Sequence, residues 1–238
     1  MDKTGSKGTG KWTVQEAAEK AVAAPAIASS LDARYLSARK EERVAASTIL
    51  QGPSEYPNVS KPQILEDLTS ALFCSKICSY AQGLDIIKTA SLEHGWNIDL
   101  AKCARMWRGG CIIRAKLLES IAAAFTSNPS LTNLMVSPEI SEKLSKNQLG
   151  WRRIVTLCIA SGIPCPTLAS SLNYYDTYRR ASLPANLTQA QRDFFGGHTY
   201  ERIDKPDEGP FHCVWTSNHK GIGDVKARTA GEKDLSHM

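Results

Sequence analysis

No uninterrupted apolar run in the 238 residues approaches the roughly 18 residues that a membrane span requires. The opening residues, Met1-Asp2-Lys3-Thr4-Gly5, carry no apolar signal-peptide core. These absences predict a cytoplasmic protein with no membrane partner. Strand-like alternation between tight turns is scarce, which argues against a sheet protein. No strand–glycine–helix unit is present, which excludes a dinucleotide-binding fold from this stretch of sequence. Basic residues nowhere form a compact stripe with interleaved aromatics. The net charge of +5 therefore suits an anionic small molecule better than nucleic acid. The cysteines, Cys74, Cys78, Cys103, Cys111, Cys158, Cys165 and Cys213, are odd in number and irregular in spacing. That pattern does not suggest a disulfide framework. Cys74 and Cys78 share a helix face, but no further Cys or His pair completes a metal site. Free thiols in a reducing compartment are expected, with no metal.

What remains is a helical pattern. Apolar residues make up 42% of the chain, enough for a sizeable core. Helices are predicted at 12–23, 26–49, 62–94, 99–107, 111–125, 138–161, 167–181 and 184–195. Prolines stand at several starts, and Gly52-Pro53, Gly95, Gly162 and Gly196-Gly197 stand at the breaks. In the 62–94 helix the stripe Ile64, Leu68, Ala71, Leu72, Ser75, Cys78 and Leu84 should face a partner helix. From Lys205 onward proline, glycine and charge dominate, which predicts a tail outside any packed core. The organisation expected is an all-α domain over 1–204 and an extended C-terminal tail over 205–238.

The richest local feature is Gly5-Ser6-Lys7-Gly8-Thr9-Gly10-Lys11-Trp12. Three glycines around two lysines and a hydroxyl can bring backbone N–H groups and ammonium groups to an anion. It nearly spells a nucleotide P-loop, but Trp12 stands where a Ser or Thr would hold magnesium. The loop reads either as an anion cradle without metal chemistry, which Trp12 can cover, or as a glycine-rich N-terminal tail.

Asp2 to Thr13, Ala33-Arg34, Lys40-Glu41-Glu42-Arg43, Met106-Trp107-Arg108-Gly109-Gly110-Cys111-Ile112-Ile113-Arg114 and the run from Leu183-Pro184-Ala185-Asn186 to His198-Thr199-Tyr200-Glu201 are long, ordered blocks. They resemble the decarboxylating 6-phosphogluconate dehydrogenases. The resemblance covers only that family's C-terminal half, and the family's N-terminal nucleotide-binding domain has no counterpart here.

That resemblance implies an all-helical C-terminal domain that forms a homodimer with a shared active site, each tail crossing its partner. It implies NADP as cofactor, bound mainly by the missing domain, and oxidative decarboxylation of 6-phosphogluconate in the pentose phosphate pathway. Lys7 and Thr9 would contact the substrate phosphate from the glycine loop, and Arg34 would bind it through a planar fork. Arg192 and His198 would reach the substrate from the other subunit. The family's catalytic lysine and glutamate precede the segment represented here. No catalytic residue and no cofactor-binding residue is therefore assigned, Glu16 and Glu19 are read as a solvated helix face, and the chain alone is expected to be inactive.

Two other readings fit the residues. One is a non-enzymatic helical dimerisation module that pairs with full-length subunits. The other is a basic helical nucleic-acid binder, suggested by Arg105, Arg108 and Arg114 around Trp107. The tail from Asn218 to Met238 departs from the family pattern and ends without a peroxisomal signal.

Overall fold

Four helices carry a proline at their first or second residue, where the missing N–H costs nothing and the fixed φ suits a first turn. They are α2 (Pro25–Ala38), α4 (Lys61–His94), α7 (Pro138–Ala160) and α8 (Pro166–Tyr178). The others are α1 (Thr9–Glu19), α3 (Lys40–Ser47), α5 (Leu100–Met106), α6 (Leu117–Ser127) and α9 (Ala185–Gly196), with a 3-10 turn at Leu134–Val136. Among the described residues one antiparallel pair, β1 (Phe211–Cys213) with β2 (Asp224–Lys226), sets Phe211 opposite Lys226. The computed structural model describes residues 1–215 and 224–226. The expected all-α class holds. Among the described residues no helix is long and apolar enough to cross a membrane. The expectations for Asn218 to Met238 lie outside the described residues, apart from the backbone of β2.

The core is built on α4, whose 34 residues rise about 51 Å. Ala71, Cys74, Ile77, Cys78, Ala81 and Leu84 are buried along it, and α7 packs beside it through Ile140, Leu144 and Trp151. Trp151 is fully buried and donates its indole N–H to the Leu168 carbonyl at 3.2 Å. The helices meet most closely at Gly150. A Cβ there would stand 2.9 Å from Asp67 Oδ1 and 3.0 Å from Ser70 Cβ. Asp67 is buried and takes a two-pronged ion pair from Arg153, at 2.8 and 2.5 Å. That hydrogen-bonded guanidinium holds its carboxyl below the usual carboxylate range. Cys74 and Cys78 are buried free thiols on one face, and burial pushes the Cys74 thiol up to about 12. Thiols so protonated are inert.

The structure differs from the sequence expectations in four places. The predicted helix over 26–49 breaks at Arg39, whose ψ of 51° leaves the helical region. Ser37 bonds back to the Arg34 carbonyl at 2.8 Å and also meets Thr4, which competes with a straight helix. The helix restarts with Glu41 and Glu42 in its first turn, where the macrodipole favours them. The predicted helix at 111–125 begins only at Leu117. Leu72, expected on the packed stripe, is 57% exposed. Finally, part of the expected tail is packed: Phe211 and Cys213 are buried. The chain forms two compact units, Met1–Arg179 and Arg180 onward, so the division falls before α9, whereas composition had suggested one near 204.

Candidate functional site: two cationic corners

In the first unit the glycine loop feeds directly into α1. Gly8 is the N-cap, and its φ of 97° is a left-handed conformation that side chains resist. No side chain caps this end. The first amides of α1 therefore keep their donors for an anion, at the positive end of the helix dipole. Trp12 lies over Gly8, its ring 3.7 Å from where a Cβ would stand, yet stays mostly exposed. Gly5, Ser6, Lys7, Thr9, Gly10 and Arg34 line an open cavity of about 460 Å³. Lys7, Thr9 and Arg34, singled out from the sequence, are thus brought together by the fold.

Arg34 is exposed on α2, and its guanidinium donates to the Gly5 carbonyl across the loop. The loop is tied down from its other side. Thr4 N–H donates to Ser37 Oγ at 3.0 Å. Asp2 receives Lys40 at 2.6 Å and is also gripped by Arg43. Those pairings, with the Lys40 hydrogen bond foremost, hold the Asp2 carboxyl low. The bend between α2 and α3 therefore places the segment that carries Lys7.

In the second unit, α9 carries Arg192 and ends at Gly197, at φ 61°, with its N–H on the Asp193 carbonyl at 2.9 Å. His198 follows, exposed, its Nε2 2.9 Å from where a Cβ on Gly196 would stand. Thr199 then adopts φ 60°, a strained value for a β-branched residue that costs about 1–3 kcal/mol. Asp193 is fully buried and anchors this turn. Its Oδ1 accepts Thr199 N–H at 2.9 Å and meets His212 Nδ1 at 2.8 Å. Its Oδ2 accepts Cys213 N–H at 2.9 Å and the Trp215 indole N–H at 3.0 Å. Burial alone would push this carboxyl up, but the four donors outweigh it and hold it down at about 2. Gln189 ties Arg192 to the same turn, accepting from its Nη1 at 3.1 Å. Arg192 and His198 thus share one corner, in a different unit from Lys7, Thr9 and Arg34.

Two members of the rival basic cluster have partners within the fold, while Arg114 is exposed. Arg108 pairs with Glu119 at 2.5 Å, and Arg105 donates to Thr126 at 3.3 Å. Glu16, read as solvated, is half-exposed and pairs with Lys20 at 3.1 Å. A larger cavity, about 730 Å³, lies against Leu72, Leu84, Trp107 and Ile113, but it offers an anion only Lys76 and Arg114. Among the described residues no cluster of His, Cys, Asp or Glu could hold a metal.

Comparison with known proteins decides the family. Residues 1–215 match the family model described as 6-phosphogluconate dehydrogenase, C-terminal domain. The chain belongs to this family. It is 55% identical over 217 residues to a rice protein named 6-phosphogluconate dehydrogenase, decarboxylating 1, covering 90% of this chain and 45% of that one. It is 47% identical over 216 residues to the decarboxylating 6-phosphogluconate dehydrogenase of Synechococcus elongatus, again 90% of this chain and 45% of that one. A Plasmodium falciparum 6-phosphogluconate dehydrogenase, described in apo form and in complex with NADP+ and with 6-phosphogluconate, superimposes with TM-score 0.83 at 42% identity, over 90% of this chain and 46% of that one. The chain therefore spans about half the length of the relatives it matches.

Within this 6-phosphogluconate dehydrogenase C-terminal domain, sequence reasoning missed Gln189, Asp193 and the Asp2 clamp. A signal for Asp193 did exist. A carboxylate in the last turn of a helix opposes the macrodipole, so it needs donors from elsewhere.

Proposed function

We propose that the chain provides the substrate-phosphate grip of an NADP-dependent decarboxylating 6-phosphogluconate dehydrogenase, an enzyme of the oxidative pentose phosphate pathway. The observation that carries the reading is the single cavity formed by Lys7, Thr9, Arg34 and the uncapped end of α1. A phosphate there would meet a point charge, a planar guanidinium and backbone donors together. Arg192 and His198 would come from the second subunit of a homodimer and contact the rest of the substrate. Large apolar side chains left more than half exposed, among them Ile49, Leu50, Leu187 and Phe195, support a second copy. The protein is read as cytoplasmic, with neither nucleic acid nor membrane as partner.

The role of these residues is to bind and orient. The family's catalytic lysine and glutamate match no residue here, so no catalytic residue is assigned. NADP is the proposed oxidant of the complete activity. The described residues form no parallel sheet with a glycine-rich turn, only a two-stranded antiparallel pair. They form no dinucleotide-binding fold, and no residue here is assigned to the cofactor.

Calorimetric titration tests the grip. 6-Phosphogluconate should bind the chain, gluconate should bind at least about tenfold more weakly, and Arg34→Ala should cost about tenfold to a hundredfold in affinity. Equal affinity for gluconate, or an unaffected Arg34→Ala variant, would overturn the assignment.

A further inference from the structure

Thr199 holds its left-handed backbone because two side chains of α9 determine it from both ends. Asp193 Oδ1 accepts its N–H at 2.9 Å, and Gln189 Nε2 donates to its carbonyl. The same Gln189 nitrogen lies 3.4 Å from the His198 carbonyl. At its other end, Gln189 Oε1 accepts from Arg192 Nη1 at 3.1 Å. Residues 189, 192 and 193 stand one turn apart, so they share a face of the helix. Immediately beyond, Tyr200 and Phe211 exchange backbone hydrogen bonds at 2.9 and 2.8 Å, which joins the turn to β1.

We propose that Gln189 and Asp193 are positioning residues that together fix the bearing of Arg192 and His198. The proposal rests on the reading of Arg192 and His198 as substrate ligands. Gln189 suits the task because its amide has two different ends. The oxygen orients the guanidinium, and the nitrogen clamps the backbone on which His198 sits. A guanidinium binds as a planar fork, so its direction matters as much as its charge. Asp193 supplies the fixed reference. Its carboxylate gathers Thr199, His212, Cys213 and Trp215, so the path of the chain from 211 to 215 sets where His198 is presented. A ligand corner built this way is arranged before substrate arrives, and binding then costs less ordering.

Gln189→Glu separates the two ends. It keeps an acceptor for Arg192 but turns the other atom into a second acceptor, facing two carbonyls. Gln189 is only half-buried, so this variant should fold even if Asp193→Asn does not. Two quantities are read on the full chain: the imidazole NMR signals of His198 without ligand, and the affinity for 6-phosphogluconate. Gln189→Glu should shift and broaden the His198 signals, weaken 6-phosphogluconate about tenfold, and leave the melting temperature near that of the parent. Asp193→Asn, where it folds, should move the same signals. Unmoved His198 signals in a folded Gln189→Glu variant would overturn the positioning role, whatever happens to affinity. If the parent chain binds no 6-phosphogluconate while the His198 signals still move, positioning stands and the substrate reading falls.

Discussion

At the amino end of the chain, Gly8 leaves the first amides of α1 uncapped, and Lys7 and Arg34 stay exposed. At α9, a fully buried carboxylate collects four donors and pins every segment around it. Both corners carry cations proposed to meet the same substrate, yet one withholds hydrogen-bond partners and the other saturates them. The difference is physical. A site that is to attract an anion must keep unspent positive potential, and the ligand completes it. A corner that is to aim side chains must be finished without the ligand. Stability and affinity should therefore respond oppositely to mutation in the two places.

The sharpest contrast is between Asp193→Ala and Arg34→Ala. Removing Asp193 strands four donors, the Cys213 N–H fully buried and the others partly so, and should cost the unit that begins at Arg180 about 3 kcal/mol. Arg34→Ala should stay within about 0.5 kcal/mol of the parent. Denaturant unfolding of both variants measures this, and equal losses would break the comparison. Acid gives the next effect. The Asp193 carboxyl is lowered from its ordinary 3.8 to about 2 in the folded protein. Its contribution is therefore complete above about pH 4 and is lost as pH falls from there through about 2. The indole N–H signal of Trp215, which rests on this carboxylate, should stay constant in the folded protein through about pH 4 and shift only as pH approaches about 2. A change centred near pH 6 would point to a different group. The smallest effect belongs to Thr199. Thr199→Gly relieves a left-handed β-branched residue and should raise stability by up to about 1 kcal/mol, seen as a higher melting temperature. A loss of that size would mean the turn carries no strain.

Much of the fold could be read in advance because its punctuation is local. Pro25, Pro62, Pro138 and Pro166 start helices, while Gly95 and Gly197 end them in left-handed conformations. The break at Arg39 could not be read this way. No proline or glycine stands there, and what shapes it, Asp2 and Thr4, lies more than thirty residues earlier. The buried Phe211 and Cys213 were hidden for a similar reason, in a three-residue strand inside a polar stretch. Of the candidate site, the glycine loop was visible as an anion cradle, but Arg34 on a helix surface was not. Only the family resemblance singled it out, and the structure then brought it to the loop. Asp193 escaped because a charged residue beside Arg192 looks like one more solvated side chain. Its burial depends on donors that arrive from as far as Trp215.

The empty place at Gly150 has a consequence for motion. With Asp67 Oδ1 and Ser70 Cβ at the distance of a clash from any side chain there, α4 and α7 interlock at one register. Sliding α7 along α4 by even one turn would bring a bulkier residue to that spot and tear Arg153 from Asp67. Shear between α4 and α7 is thus closed. The pair then acts as one post, and a motion within this part of the molecule has to carry both helices together.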